Sequence, residues 1–198
     1  MTIDTAPNAP IACIEQRLDA IQTVLQRQGI QPAEFIETFD ELAHEHWVPA
    51  NGAGLIARAW TDPAFKQLLL TDGMAAIREA GLSMPPHHRH FVVLENTLNI
   101  HNVICCTLCS CTAFTIIGLP PDWYKDLAYR SRAVREARTV LREMGLDLPA
   151  HTQIRVWDTT ADTRYMVMPQ RPLGTEGLSV EQLTSLISKD ALIGVSLI

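Results

Sequence analysis

The chain has 198 residues, of which 47% are hydrophobic and 19% charged, and its formal net charge at pH 7 is -6. This composition is typical of a globular protein and excludes the disordered, collagen-like and membrane-spanning classes. The acidic balance argues against a nucleic-acid partner, because such binding needs clustered positive charge.

The first part of the chain reads as helical. Apolar residues recur at helical spacing over residues 10–28, and Gly29 follows as a stop. A second, shorter helix is expected from Pro32, and a third over residues 51–60. Asp62 is a candidate N-cap with Pro63 at the first helical position, so we expect a further helix to about residue 80. The N-terminal sequence lacks the basic start and apolar run of a secretory signal, which favours a cytoplasmic protein without structural disulfides.

The pattern changes after a proline-rich linker at residues 83–89. His87, His88 and His90 could bind metal ions there, but exposed loop histidines usually have no role. Short runs rich in Val, Ile and aromatic residues then predict strands at residues 91–94, 154–157 and 165–168. Helices are predicted at residues 131–144 and directly after the Ser179–Gln182 capping box.

These elements predict the α+β class. We expect a helical N-terminal arm over residues 1–85, followed by a layered mixed α/β domain over residues 86–198 that carries a metal-binding cysteine loop. Residues 96–121 contain no Asp, Glu, Lys or Arg, yet their Asn, His, Ser and Thr residues favour the buried centre of a folded domain over a membrane span.

Four of the five cysteines lie within residues 105–111, and this crowding indicates metal or redox chemistry. Cys106, Cys109 and Cys111 form a C-x-x-C-x-C pattern. Half of a zinc site, with His101 or His90 as the fourth ligand, is one reading, although only Cys13 remains to supply a paired cysteine. A thioredoxin-like redox pair is another, but the motif does not follow a first strand and open a helix. Cys105 is interpreted as a small buried residue that binds no metal.

The spacing also permits a more specific arrangement. The tripeptide from Cys109 to Cys111 offers two thiolates and, if the Ser110 and Cys111 amides lose their protons, two nitrogens in one plane. Cys106 can cap that plane. Such a five-coordinate set suits a trivalent metal and leaves a sixth position open.

The motif C-T-L-C-S-C and the segments around it resemble the α subunit of nitrile hydratase, from about residue 11 to the C-terminus. The supporting segments are residues 118–125 (GLPPDWYK), 129–132 (YRSR), 154–158 (IRVWD) and 171–177 (RPLGTEG), with residues 51–62 and 95–97 also similar. Thr107, where iron enzymes of the family typically carry Ser, is similar to the cobalt branch.

The resemblance implies a ligand set and a cofactor. Cys106, Cys109 and Cys111 would bind one Co³⁺ per chain through sulfur, and Ser110 and Cys111 through backbone nitrogen. It also implies that Cys109 is oxidised to sulfinic acid and Cys111 to sulfenic acid. Cys109 and Cys111 are accordingly the catalytic candidates.

The resemblance further implies partners and a reaction. The partners would be a β subunit, in some members supplied as two shorter chains, and an activator protein that inserts cobalt. The reaction would hydrate a small-molecule nitrile to its amide, with the nitrile carbon attacked by an activated water or by the Cys111 sulfenate oxygen.

Two alternatives stay open. Thiocyanate hydrolase has a metal-binding subunit with a similar cysteine motif, although residues 118–125 and 156–158 look closer to nitrile hydratase. A zinc-stabilised interaction module without catalysis is the alternative from another class.

One departure concerns the substrate wall. Family members usually follow the cysteines with an aromatic and proline-rich stretch, whereas this chain has Thr112, Ala113, Phe114 and Thr115. A wall with fewer rigid rings favours a larger nitrile, and a nucleoside nitrile of the toyocamycin kind is one candidate.

Five further residues are candidates for supporting the metal site or the subunit interface; they are Glu95, Arg130, Arg132, Asp158 and Arg164. For Arg130 and Arg132 the alternative reading is a solvated helix face. For Asp158 and Arg164 it is an ordinary ion pair, and for Glu95 it is a strand cap.

Overall fold

The computed structural model describes residues 13–198 of a chain that divides into two compact units, Met1–Leu42 and Ala43–Ile198. In the first unit, helix α1 (Ile14–Arg27) and helix α2 (Pro32–Glu41) are joined by a turn in which Gly29 has a φ of 79°. Both predicted helices are confirmed, while residues 10–12 of the first lie outside the described residues. A short π-helical turn, Leu42–His46, follows α2.

Three helices open the second unit, and they are α3 (Pro49–Thr61), α4 (Pro63–Thr71) and α5 (Gly73–Glu79). The predicted N-cap is confirmed, because Asp62 Oδ1 accepts hydrogen bonds from the backbone N–H groups of Ala64 and Phe65, both at 3.0 Å. The sequence assigned these three helices to the arm, whereas the structure packs α4 and α5 on strand β1 (His90–Glu95) of the second unit.

The remaining elements are β2 (Ile100–Cys105), α6 (Phe114–Ile117), α7 (Asp122–Lys125), α8 (Leu127–Glu143), β3 (Gln153–Asp158), β4 (Thr163–Met168), α9 (Val180–Leu186) and α10 (Lys189–Ile193). The three predicted strands are confirmed as parts of β1, β3 and β4, and the capping box of Ser179 and Gln182 is present at the start of α9. The helix predicted at residues 131–144 begins earlier, and Glu136 interrupts it with non-helical dihedral angles.

The strands form two parallel pairs. β1 pairs with β4, and β2 pairs with β3 in a register that sets Cys105 opposite Asp158. Residues 96–121 include the buried polar side chains of Asn96, His101 and Asn102, as expected for the centre of a folded domain. Asn102 accepts a hydrogen bond from Trp157 Nε1 at 2.9 Å and donates to the Glu95 carbonyl at 2.9 Å, so the polar atoms of this buried side chain have partners.

Helix α3 lies at the centre of the second unit and packs against α4, α6 and α9. Gly52 permits this packing, because a Cβ at that position would come within 3.0 Å of Met166 Sδ and 3.1 Å of the Ile116 carbonyl oxygen. Within residues 13–198, no helix is both long and apolar enough to cross a membrane.

Candidate metal centre

The cysteine loop, residues 106–111, begins directly where β2 ends at Cys105 and leads toward α6. The last residue of β2 faces the last residue of β3, so the loop starts at the carboxyl edge of a parallel pair. At this edge the paired backbones of β2 and β3 support the start of the loop. The fold therefore gives the loop a rigid base.

The loop brings its three thiols together. Cys106 Sγ lies 3.4 Å from Cys109 Sγ, and Cys109 Sγ lies 2.8 Å from Cys111 Sγ. All three sulfur atoms lie within 4.8 Å of one another, and among the described residues they form the one cluster of metal-ligand side chains with this geometry. Cys106 is buried, Cys111 is half-buried and Cys109 is exposed, so the cluster opens to the surface on one side.

The environment of Cys106 favours its thiolate. Burial opposes ionisation, but hydrogen bonds from the Thr159 side chain and from the backbone N–H groups of Cys109 and Cys111 outweigh it and lower the pKa of Cys106 to about 7. Burial and the neighbouring Cys109 raise the pKa of Cys111 instead. The loop thus presents one readily ionised sulfur, and a bound cation would favour ionisation of the other two.

Two side chains hold the start of the loop. Asp158 accepts hydrogen bonds from the backbone N–H of Thr107 at 2.9 Å and from its hydroxyl at 2.5 Å. Arg130 donates from Nε to the carbonyl of Cys106 at 2.9 Å and from Nη2 to the carbonyl of Thr107 at 2.7 Å. The structure therefore brings the predicted residues Asp158 and Arg130 to the cysteine loop, where they hold its backbone.

Two further residues hold the end of the loop, and neither was a predicted site residue. Tyr124 Oη donates to the carbonyl of Cys111 at 3.2 Å, and Thr159 Oγ1 donates to the same oxygen at 3.4 Å. Tyr124 belongs to the GLPPDWYK segment that supports the resemblance, but the segment alone assigns no role to this side chain. Nothing in the sequence around Thr159 indicates its position.

Two predicted supporting residues lie elsewhere. Glu95 pairs with Lys66 at 2.5 Å, beside α4. Arg132 pairs with Glu136 at 2.6 Å and with Glu143 at 2.7 Å on the surface of α8. The structure does not bring either side chain to the cysteine loop, and Arg132 forks to the Glu143 carboxylate through both of its terminal nitrogens.

A cavity of about 310 Å³ opens beside Cys111, and its lining residues are His87, His88, Ser110, Cys111, Thr112, Phe114, Leu119, Pro120 and Arg164. Of the predicted substrate wall, Thr112 and Phe114 line this cavity, whereas Ala113 is fully buried and Thr115 donates to the carbonyl of Ser83 at 2.9 Å. Phe114 packs edge-on against Trp47 at 4.9 Å between ring centroids.

His88 corrects one expectation, because it is not an exposed loop histidine. Only 3% of its surface is accessible, and its ring lies 5.8 Å from that of Phe114. Burial, together with the charge of Arg164, lowers the pKa of His88 to about 4, so the ring is neutral at neutral pH. Its position in a proline-rich linker gave no sign of this burial.

The donor set fits a transition metal. Three thiols within reach of one ion provide soft ligands, and the backbone amides of Ser110 and Cys111 lie between two of them in sequence. Asp158 and Arg130 fix the loop from outside without contributing a ligand, which is the arrangement that orients ligands in metal sites. The loop is therefore a candidate site for one metal ion.

Comparison with known proteins identifies the family of this chain. The family model described as nitrile hydratase, alpha chain, matches residues 12–196. The low-molecular weight cobalt-containing nitrile hydratase subunit alpha of Rhodococcus rhodochrous is 46% identical over 183 residues, covering 92% of this chain and 88% of that protein. The thiocyanate hydrolase subunit gamma of Thiobacillus thioparus is 37% identical over 187 residues, covering 89% and 76%.

Solved structures give the same fold. A double mutant of the Fe-type nitrile hydratase from Comamonas testosteroni Ni1 matches with a TM-score of 0.88 and 57% sequence identity, covering 96% of this chain and 92% of that chain. The similar proteins named with a metal therefore include both a cobalt and an iron enzyme.

Proposed function

Because the chain belongs to the nitrile hydratase alpha-chain family, we propose that it is the metal-binding subunit of a nitrile hydratase and that its cysteine loop is the reaction centre. The reaction adds water across R–C≡N to give the amide. The observation that carries this proposal is the cluster of Cys106, Cys109 and Cys111, of which Cys111 lines an open cavity.

The proposed metal is Co³⁺, one per chain. Cobalt is named for the Rhodococcus relative, and Thr107 follows the pattern of the cobalt branch. When bound, the ion supplies Lewis acidity at a position open to substrate. Cys106, Cys109 and Cys111 would hold it through sulfur, and Ser110 and Cys111 through backbone nitrogen.

The test of the metal is loading with each ion in turn. The chain, co-produced with its β partner in cobalt-supplemented medium, should contain one cobalt per chain and hydrate nitriles, whereas an iron-loaded preparation should not. Equal activity with iron would overturn the assignment to cobalt. Stoichiometric zinc after cobalt-replete production, without hydration, would support the zinc-stabilised module instead.

Oxidation of two ligands is the next part of the proposal. Cys109 would be a sulfinic acid and Cys111 a sulfenic acid in the mature enzyme, so the mass of the chain should exceed the reduced mass by about three oxygen atoms. Cys13→Ala and Cys105→Ala serve as matched controls and should leave the cobalt content unchanged. An unmodified mass in active, cobalt-containing protein would contradict the oxidised ligands.

A β subunit is the proposed main partner, and an activator protein that inserts cobalt is the second. Exposed apolar side chains lie in and near the loop, with Leu108 86% exposed and Leu127 72% exposed. A protein surface that covers them would also close the open side of the thiol cluster. The proposed location is the cytoplasm, since the described cysteines are all free, as is usual in a reducing compartment.

The proposed substrate is a nitrile on a large heteroaromatic ring, of which a nucleoside nitrile of the toyocamycin kind is one example. The support is the replacement of a proline-rich aromatic wall by Thr112 to Thr115, a stretch in which Phe114 alone has a ring, and that ring lines the cavity. The parent enzyme should have a higher kcat/KM for such a nitrile than for acetonitrile. Changing residues 113–115 to Pro-Trp-Pro, with the same β partner, should narrow that difference.

Thiocyanate is the control substrate. The Thiobacillus relative is named a thiocyanate hydrolase, so turnover of thiocyanate without turnover of any nitrile would replace the proposed activity with that one. Faster turnover of acetonitrile than of large nitriles would leave the hydratase in place and contradict the proposed substrate class.

A further inference from the structure

An ionic cluster spans a kink in helix α8. Glu136 lies inside this helix with a φ of -142° and a ψ of 44°, so α8 consists of two helical halves, residues 127–135 and 137–143. Sharp kinks in helices often occur at proline or glycine, and α8 contains neither. The angle of the kink therefore depends on the contacts that the two halves make.

Arg132 makes contacts that join the two halves. Its Nε donates to Glu136 Oε1 at 2.6 Å, and its Nη1 and Nη2 donate to the two carboxylate oxygens of Glu143 at 2.7 and 2.8 Å. An exposed ion pair usually contributes little to stability, but a two-pronged contact between arginine and carboxylate within a network is the exception. We call these three residues, Arg132, Glu136 and Glu143, the α8 clamp.

The spacing of the α8 clamp shows that it belongs to the bent helix. On a straight helix, side chains meet at a spacing of three or four residues, as those of Arg132 and Glu136 do. Arg132 and Glu143 are 11 residues apart, which corresponds to about 16 Å along a straight helix. The two extended side chains together are too short to cover that distance. The contact with Glu143 therefore forms only when the helix bends, and it stabilises the bend.

Each half of α8 holds a different part of the support of the cysteine loop. Before the kink, Arg130 donates to the carbonyls of Cys106 and Thr107 at 2.9 and 2.7 Å. After the kink, Arg138 donates to the carbonyl of Thr152 at 2.5 Å, directly ahead of β3. Strand β3 in turn ends at the carboxylate that holds the loop. The angle between the two halves therefore sets where Arg130 lies relative to β3 and to the loop.

We propose that the α8 clamp positions Arg130 on the cysteine loop by fixing the bend of α8, and that it thereby prepares the loop to bind its metal ion. The inference rests on the proposed function in one respect, that this loop binds the metal. The three residues of the clamp are positioning residues, because they act through Arg130. Since the clamp is held by charge and is partly exposed to solvent, its effect should weaken as the salt concentration rises.

The first test is the affinity of the full-length chain for Co²⁺, measured by competition with a chelator under anaerobic and reducing conditions. Glu143→Gln keeps the size of the side chain and removes its charge, so the Kd should rise about fivefold, less than where a side chain that directly holds the ligand loop is lost. Arg132→Lys keeps the charge and loses the fork, so it should show part of this effect. Arg142→Gln is the matched control and should leave the Kd unchanged, because Arg142 pairs with Asp147 outside the clamp.

A double variant separates positioning from a general loosening of the fold. Arg130→Gln alone should raise the Kd about tenfold, because Arg130 holds the loop directly. If the clamp acts through Arg130, Glu143→Gln should add little to the Kd of the Arg130→Gln variant. Two independent effects would instead multiply, and the Kd of the double variant would rise about fiftyfold.

The second test needs no metal. In the metal-free full-length chain, the backbone amides of residues 107–111 should exchange hydrogen faster in Glu143→Gln than in the parent, because Arg130 holds the loop less firmly. The amides of β1 and β4, which form the other strand pair, should exchange at the rate of the parent. Raising the salt concentration from about 0.05 to about 1 M should bring the parent closer to Glu143→Gln in both tests.

The outcomes separate this inference from the proposed function. A complex with the β partner that binds cobalt and hydrates no nitrile overturns the proposed function, and the role of the clamp stands if both tests give the expected result. A parent-like Kd in Glu143→Gln, parent-like exchange in the same variant, or multiplying effects in the double variant would each overturn the role of the clamp, whether or not the complex hydrates nitriles.

Discussion

Replacing Asp158 with Asn should weaken metal binding without removing any ligand. The carboxylate holds Thr107 through two hydrogen bonds at 2.9 and 2.5 Å, and Thr107 lies directly after the ligand Cys106. Asn keeps one acceptor oxygen but loses the negative charge, so it holds Thr107 less firmly. Part of the free energy of metal binding is then used to order the loop, and the affinity for the metal falls.

The size of the effect follows from these two contacts. Hydrogen bonds to a charged group contribute about 1.5–3 kcal/mol each, and the lower end applies because this pair is partly exposed. If Asn retains one of the two bonds at neutral strength, the loss is about 2 kcal/mol. Since 1.4 kcal/mol corresponds to a factor of ten, the Kd for Co²⁺ should rise about 30-fold.

The assay is competition between the full-length chain and a chelator for Co²⁺, under anaerobic and reducing conditions in which the cysteines stay unmodified. Asp147→Asn is the matched control, because Asp147 forms an exposed ion pair with Arg142 at 3.5 Å and should leave the Kd unchanged. Thr107→Val should reproduce part of the loss and Thr107→Ser should not. A Kd for Asp158→Asn within twofold of the parent would refute the role assigned to this carboxylate.

Three other predictions concern the fold around the site. Burial raises the pKa of Cys105 to about 12, so its thiol should stay protonated and resist alkylation at pH 8 in the native chain; rapid modification there would contradict its burial. Gly194→Ala should lower the free energy of unfolding, measured by thermal unfolding, by at least about 2 kcal/mol, since its φ is 93° and a Cβ would lie 2.0 Å from a carbonyl oxygen of β2. Gly174→Ala is the control, with a φ of 79° and no atom within 4 Å of the added Cβ, and should lower it by about 1 kcal/mol. Arg138→Ala should lower the free energy of unfolding by about 2 kcal/mol, because Arg138 donates to three backbone carbonyls before β3. Arg142 is exposed, so Arg142→Ala should change the same quantity by less than about 0.5 kcal/mol.

The elements with a clear local signal were predictable from the sequence. Asp62 followed by Pro63 and the Ser179–Gln182 box mark helix starts through contacts within one turn, and both were found where expected. The strands rich in branched and aromatic residues were also found. Strand β2 was not predicted, because it is buried on both faces and therefore lacks the alternation that marks a half-exposed strand.

The candidate site was predictable where its residues are neighbours in sequence. The spacing of three cysteines was enough to indicate the cluster, since residues 106–111 form one loop. Arg130 and Arg132 were both candidates for supporting the metal site or the subunit interface, and of the two only Arg130 contacts the loop in this chain. The burial of His88 and the contact of Thr159 depend on long-range packing, for which a single sequence carries no signal.

The parallel pairing of β2 with β3 sets an order of events during synthesis. All three thiols have been synthesised before residue 112 is added. The Asp158 carboxylate that holds Thr107 comes later, at the end of β3, and Arg164 comes later still, on β4. A nascent chain that ends before β3 therefore carries the sulfur atoms without the backbone that arranges them. Since pairing of distant segments is slow compared with closure of a local loop, the native ligand geometry arises late in folding, and faithful metal capture has to wait for the last third of the chain.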